Sequence, residues 1–249
     1  MTTDTRDLPR ITRQRHDLVR RSLTVARSTR LTPKMIRLAL TGPELKGFTS
    51  TAPDDHFKLF VSDGQGGSAG RDYTPRAFDD DALIVDVFDH PGGPAADWAR
   101  AARPGDTVTI GGPRGSVVIE GDIDHWLLIG DETALPAIAR RLEELPEGTG
   151  ATVIVAVEGP AEEYPLESCA ALDLRWVHRA ANASTDPAPL IAALPGDLPA
   201  RSFAWIAAEA GVARALREAL LAQGHPLPWL KAAGYWVRGE AAASVKSMD

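Results

Sequence analysis

Residues 121–138 read GDIDHWLLIGDETALPAI, and within this stretch the chain changes its rhythm. His125 to Gly130 is an apolar run of strand length, Gly130 to Ala134 is small and polar, and Leu135 to Leu145 places apolar residues at helical spacing. Ala151 to Val157 then reads as a second strand. Strand, helix, strand in that order calls for a parallel sheet, because the crossover helix returns the chain to start again in the same direction. The pattern continues with a strand at Leu172 to His178, a helix near Pro187 to Leu194, a strand at Ser202 to Ala208 and a helix from Val212 to Gln223. Residues 123–249 are therefore expected to form a small doubly wound nucleotide-binding half, joined to what precedes it through Gly121 to Asp124.

Upstream the spacing is different. Leu23 to Ala26, Met35 to Leu40, His56 to Val61, Ala82 to Phe88 and Thr107 to Ile110 are short apolar segments separated by Gly, Pro and Asp, which predicts an antiparallel barrel or sandwich over residues 22–122. In LIVDVF (83–88), Leu83, Val85 and Val87 share one face and Asp86 lies on the other, as in a strand with one dry side. Ser62 to Gly70 (SDGQGGSAG) predicts a flexible surface loop. Residues 1–21 carry Arg6, Arg10, Arg13, Arg15, Arg20 and Arg21, broken by Asp4, Asp7 and Asp17, and predict a partly ordered, solvated basic arm.

Composition narrows the function. The 249 residues, 44% hydrophobic, suffice for two cored domains, and 27 Lys and Arg against 34 Asp and Glu give a net charge of −7, which argues against a nucleic-acid partner. Cys169 is the sole cysteine, so no internal disulfide forms and a reducing compartment is expected. No apolar run reaches the about 18 residues of a membrane span and no secretory signal is evident, so a cytoplasmic location without membrane insertion is expected. His16, His56, His90, His125, His178 and His225 are isolated in sequence, which predicts no metal site made by the protein. Gly115-Ser116-Val117 is not a nucleophile elbow, so hydrolysis is set aside.

Three segments are candidates for chemistry. RDYTPR (71–76) offers Arg71, Tyr73 and Thr74 in close succession, an arginine, an aromatic and a hydroxyl suited to a flat ring with a hydrogen-bonding edge; an ordinary polar strand end gives the same letters. HPGGPAADWAR (90–100) places two glycines and Pro94 where a helix starts, so the N–H groups of Ala95 and Ala96 would face an anion such as a diphosphate. GGPRGS (111–116) combines small residues, which permit close backbone approach, with the charge of Arg114; a hairpin turn is the plain alternative.

In this order the three segments resemble the siderophore-interacting protein family, flavin-dependent ferric-siderophore reductases of the ferredoxin-reductase superfamily. The likeness also takes in LTPKMIRL (31–38), DDHFKL (54–59), PGD (104–106), GDETALPAI (130–138) and GYWVRG (234–239), and so spans nearly the whole chain. It implies an N-terminal antiparallel Greek-key β-barrel that binds FAD and a C-terminal parallel-sheet α/β domain for NAD(P)H. It further implies that Arg71, Tyr73 and Thr74 hold the ring end of FAD, while Gly93, Pro94, Ala95, Ala96 and Gly112, Arg114, Gly115, Ser116 hold its diphosphate and adenylate. Asp86, His90 and Trp98 are counted with the FAD contacts, as are Asp131, Thr133, Ala134 and Trp236. Gly130, Glu132 and Glu209 are assigned to the nicotinamide dinucleotide. Glu158, at the end of the second α/β strand, suits a ribose 2′-hydroxyl and leans towards NADH, whereas Arg175 or Arg179 would suit a 2′-phosphate.

The implied chemistry is electron transfer. A nicotinamide gives up two electrons as hydride and Fe(III) accepts one, so a flavin has to stand between them, and no catalytic acid, base or nucleophile of the protein is required. The substrate is a ferric siderophore, whose negative charge calls for basic residues near the flavin; Lys58, Arg76, Lys231 and Arg238 are the candidates. Family members commonly carry a second arginine where this chain has Val237, which lowers the positive charge expected there. A monomer is expected. A general flavin or ferredoxin-type reductase, with ferredoxin as a partner, and a non-enzymatic siderophore-binding protein are the alternatives on the same fold.

Overall fold

The computed structural model describes residues 8–62, 64 and 66–248; Asp4, Arg6 and Asp7 of the expected arm lie outside the described residues. By internal contacts the chain divides into two units, one made of Thr12–Val118 with Pro136–Arg141, the other of the remaining residues.

The first unit is built on antiparallel strands β1 (Arg10–Arg15), β2 (Arg20–Thr32), β3 (Met35–Thr41), β4 (Phe57–Ser62), β5 (Ser68–Tyr73), β6 (Ala77–Phe78) and β7 (Leu83–Phe88), helix α1 (Pro94–Ala101), then β8 (Thr107–Gly111) and β9 (Gly115–Glu120). Seven strands form one sheet in the order β5-β4-β8-β2-β3-β7-β6, while β1 pairs with β9 in a separate ribbon. β5 and β7, distant in that order, approach each other, so the sheet curls around one core. The period of two selects that core. Leu83, Val85 and Val87 of β7, Leu38 and Leu40 of β3, and Phe57, Leu59 and Val61 of β4 all point inward, and Ala95 and Ala99 of α1 close it. Burying each large side chain contributes about 1.5–3 kcal/mol relative to exposure.

Three expectations are corrected here. Arg10–Arg15, read as solvated arm, is a strand: its side chains are mostly exposed but its backbone pairs with β9, and Arg10 meets Glu120 at 2.7 Å. Ladder bonds outweigh a sequence without apolar periodicity. The flexible loop is shorter than Ser62 to Gly70, because Ser68, Ala69 and Gly70 pair with Ser62, Val61 and Phe60. Asp86 is not a cofactor contact. It sits opposite Arg37 of β3, and its wholly buried carboxylate takes two hydrogen bonds of 2.7 Å from that guanidinium.

The second unit is a five-stranded parallel sheet in the order β12-β11-β10-β13-β14, from strands β10 (His125–Asp131), β11 (Gly150–Val157), β12 (Ala171–His178), β13 (Ser202–Glu209) and β14 (Leu230–Trp236). Helices α2 (Leu135–Glu144), α3 (Ala188–Ala192) and α4 (Ala210–Ala222) connect them. β11 and β13 flank β10, so the strand order reverses at β10 and β13, the place where such sheets receive nucleotides at their carboxyl ends. No helix among the described residues is long and apolar enough to cross a membrane.

Replacing Asp86 by Ala leaves Arg37 without its cross-strand carboxylate and should lower stability by about 2 kcal/mol, less than for a fully buried pair because Arg37 keeps contact with solvent. Urea unfolding should show a lower midpoint at unchanged slope, with FAD affinity unaffected.

Candidate functional site

In the barrel unit, β5 ends in the stretch read for a flavin ring. Arg71 pairs with Leu59 and Tyr73 with Phe57 across to β4; both are partly buried, and Thr74 beyond them is buried. Arg71 Nη1 donates to the Gly70 carbonyl at 3.0 Å. Tyr73 packs on the barrel core, and that burial, opposed by Arg71, pushes its phenol well above the usual range, so it stays neutral.

Helix α1 supplies an anion-binding end. No side chain caps it, Pro94 occupies its first turn, and it approaches both β4 and β5. A Cβ on Gly93 would come 2.5 Å from His90 Cε1, so the exposed imidazole lies against the helix start. Trp98, further along α1, packs against the barrel core.

The third segment joins the other two through the sheet. Gly111 pairs with Lys58 of β4 and Lys58 with Asp72 of β5, which puts the turn after β8 two strand spacings, about 10 Å, from the end of β5. Gly112 adopts φ 96°, open to glycine at no steric cost, and Arg114 is exposed. An uncapped helix start, a hydroxyl, an aromatic and arginines thus converge within one unit, and this donor set fits FAD. Gly115 and Ser116 have other work. A Cβ on Gly115 would run into the Gln14 carbonyl oxygen, so this glycine admits the neighbouring backbone. The Ser116 hydroxyl, 2% exposed, donates to Asp55 Oδ2 at 2.5 Å and lies 2.7 Å from His16 Nε2.

The second unit gathers its candidates at the carboxyl end of its sheet. Asp131, 2% exposed, accepts from the Thr133 N–H and hydroxyl on Oδ1, and from the Glu209 N–H at 3.0 Å and Trp236 Nε1 at 2.8 Å on Oδ2. It ties β10, β13 and β14 together where the strand order reverses. Asp131, Thr133 and Trp236 are therefore bonded to one another, which the sequence spacing did not reveal. Glu209, expected to face a crevice, caps α4: Oε2 accepts from Gly211 and Val212, and Oε1 from the Arg238 N–H. α2, which opens at Ala134, has no side-chain cap. The start of α2 is left without a side-chain acceptor, whereas that of α4 is closed by Glu209.

Glu132 is 4% exposed and pairs through Oε2 with Arg179 at 2.7 Å, while its Oε1 is buried without a hydrogen-bond partner among the described residues. Burial first, then the neighbouring Asp131 and Glu158 charges, raise its carboxyl to about 7 against the pull of Arg179. Arg175 donates to Asp173 and to the Ala193 carbonyl.

The four basic docking candidates separate. Lys58 is exposed and pairs with Asp72 at 2.8 Å, and Arg238 is exposed with Nη1 on Thr185. Arg76 is 7% exposed, because its backbone joins the β7 ladder at Ile84 and carries the side chain inward. Lys231 stands near the start of β14, the end of the strand opposite to Trp236.

Comparison with known proteins places the chain in a family. Residues 123–239 match the model of the siderophore-interacting protein family, and residues 24–69 and 62–117 that of the siderophore-interacting FAD-binding domain. The chain belongs to the siderophore-interacting protein family. It is 34% identical over 247 residues to the NADPH-dependent ferric-chelate reductase of Escherichia coli (strain K12), with 90% of this chain and 95% of that relative covered. A solved siderophore utilization protein from T. fusca matches with TM-score 0.86 and 34% identity over 94% of this chain and 98% of that one. The siderophore-interacting protein SipS from Aeromonas hydrophila matches with TM-score 0.75 and 27% identity over 91% and 93%.

Glu132 gives this family member a pH signature. An acid whose carboxyl is raised on folding adds stability below its unfolded value near 4.5 and loses it as pH climbs through about 7. The stability difference between the wild type and Glu132→Gln should therefore shift against the wild type from pH 5 to pH 8; parallel urea midpoints across that range would refute the raised carboxyl.

Proposed function

We propose that this protein is an FAD-dependent ferric-siderophore reductase that takes electrons from NAD(P)H and frees iron as Fe(II). The observation that carries this reading is the uncapped start of α1, a helix that packs near β4 and β5, inside the segment that matches a siderophore-interacting FAD-binding domain. When bound, FAD supplies the conversion of a two-electron hydride into single electrons that Fe(III) accepts.

The residues of the chain bind and orient. Arg71 and Thr74 at the end of β5 hold the ring edge, with Tyr73 as a neutral phenol beside them, and the α1 start under His90 holds the diphosphate. The α2 start receives the diphosphate of the nicotinamide dinucleotide, and Asp131 keeps that loop rigid through its bonds to Thr133, Glu209 and Trp236. Glu158, partly exposed at the end of β11, stands ready for a ribose hydroxyl. None of these groups need exchange a proton with the iron complex. The donor is a nicotinamide dinucleotide, as the name of the Escherichia coli relative supports, and a cytoplasmic location agrees with a lone cysteine.

Lys58 draws in the anionic chelate. Lys58→Ala also unmasks the Asp72 charge, so KM for a ferric catecholate should rise about 3- to 10-fold at low salt with kcat unchanged, and the difference should shrink at about 0.5 M salt. Steady-state rates with NADH or NADPH, with Fe(II) trapped by a colorimetric chelator, provide the test. Equal rates with ferric chelates, cytochrome c and free flavin as acceptors would remove the siderophore assignment.

A further inference from the structure

Behind the flavin-binding segments lies a buried chain of polar groups in the barrel unit whose protons can all be assigned. Arg140 Nη1 donates to Ser50 Oγ at 2.7 Å, and Ser50 Oγ donates to Asp55 Oδ2 at 2.8 Å. From the other side Ser116 Oγ donates to the same Oδ2 at 2.5 Å. Since the Ser116 proton is committed to a carboxylate, the 2.7 Å contact with His16 runs from Nε2–H to Oγ, and the Thr51 N–H adds a second donor at 3.2 Å. Asp55 Oδ2 also takes the N–H groups of Thr51 at 2.9 Å and Ala52 at 3.2 Å. Arg140, Ser50, Asp55 and Ser116 are all buried.

Arg140 does more than begin this chain. Nη1 also reaches the Pro75 carbonyl at 3.2 Å, Nη2 the Ser50 carbonyl at 3.1 Å, and the guanidinium stacks 5.4 Å from the centre of the Phe78 ring. One side chain thereby grips the backbone immediately after Thr74 and, through Ser50 and Asp55, the last residue of the Gly112–Ser116 turn. These are the two segments assigned to opposite ends of FAD.

We propose that Arg140 is the positioning residue of the flavin site, holding the Thr74–Pro75 end of β5 and the Gly112–Ser116 turn in register through the Ser50–Asp55–Ser116 relay. It touches neither cofactor nor iron. A planar guanidinium is needed because three acceptors lie around it in different directions, which an ammonium cannot serve in the same geometry. This proposal rests on the reading that those two segments hold FAD.

Titration of the full-length apoprotein with FAD, followed by flavin fluorescence and the visible spectrum, tests it with five variants. Arg140→Met should raise the FAD Kd at least 10-fold and blur the vibronic shoulder of the flavin band, Arg140→Lys should recover part of the loss, and Ser50→Ala should raise Kd about 3-fold. Arg21→Met is the control: Arg21 is another buried arginine of the same unit, on the Gly47 carbonyl and the Phe48 ring, and its loss should destabilise the fold while leaving Kd within 2-fold. Arg71→Ala reports on the flavin reading itself. If Arg71→Ala weakens FAD and Arg140→Met does not, the positioning role falls and the flavin site stands. If Arg140→Met and Arg21→Met weaken FAD equally, the effect is general destabilisation and the proposal falls. If the wild type binds no FAD, both fall. Should Arg140→Met fail to fold, Ser50→Ala decides alone: an unchanged Kd overturns the relay.

Discussion

Asp55 Oδ2 accepts from Ser50, Thr51, Ala52 and Ser116 at a position 3% exposed to solvent. A carboxylate taken out of water has to be repaid in donors, because each unmet polar group in a dry interior costs about 1–3 kcal/mol and a charge costs more. The cheapest way to collect four donors at one oxygen is to wrap a loop around it, and residues 50–55 do that. The same wrapping brings Ser116 inward and orients Ser50 to receive Arg140. The geometry of the flavin-binding segments thus follows from satisfying one buried oxygen. Asp131 does the same for the other unit, with donors from Thr133, Glu209 and Trp236 drawing three strand ends together.

Helix ends then divide the labour. A helix start carries unpaired N–H groups and a partial positive charge, and something must meet them. At α4 the protein answers with its own carboxylate, Glu209. At α1 and α2 no side chain answers. The proposed reductase reading draws on those two open starts.

Most charged side chains lie outside the core, and a few are spent inside it. Arg37, Arg140 and Arg179 each spend their guanidinium on a carboxylate, a hydroxyl or a carbonyl within the fold. Paired charges of this kind add little net stability over an apolar replacement, but they do fix orientation, since a planar fork tolerates few geometries. Lys58 and Arg238, proposed to meet an anionic chelate, stay exposed.

The order of the elements was legible in the sequence. Period-two alternation at 83–88, the strand-loop-helix of 125–145 and the glycine-proline punctuation at 92–94 state local preferences that tertiary packing left in place, and the motifs of the family lay at the strand and helix ends where ligands are met. The arm strand at Arg10–Arg15 was not legible, because its stabilisation comes from backbone bonds to β9, a partner about a hundred residues away, and leaves no apolar trace. Nor were the fates of the polar residues. Asp86, Asp131, Glu209 and Ser116 look in sequence like groups waiting for a cofactor, yet each is engaged by the protein itself, and spacing alone does not mark Arg140 and Asp55 as partners through Ser50. Residue type and spacing along a chain determine which elements form and where a ligand is met; which polar group faces another across the fold is decided by three-dimensional proximity, for hydrogen bonds are short and directional and join residues the sequence holds far apart.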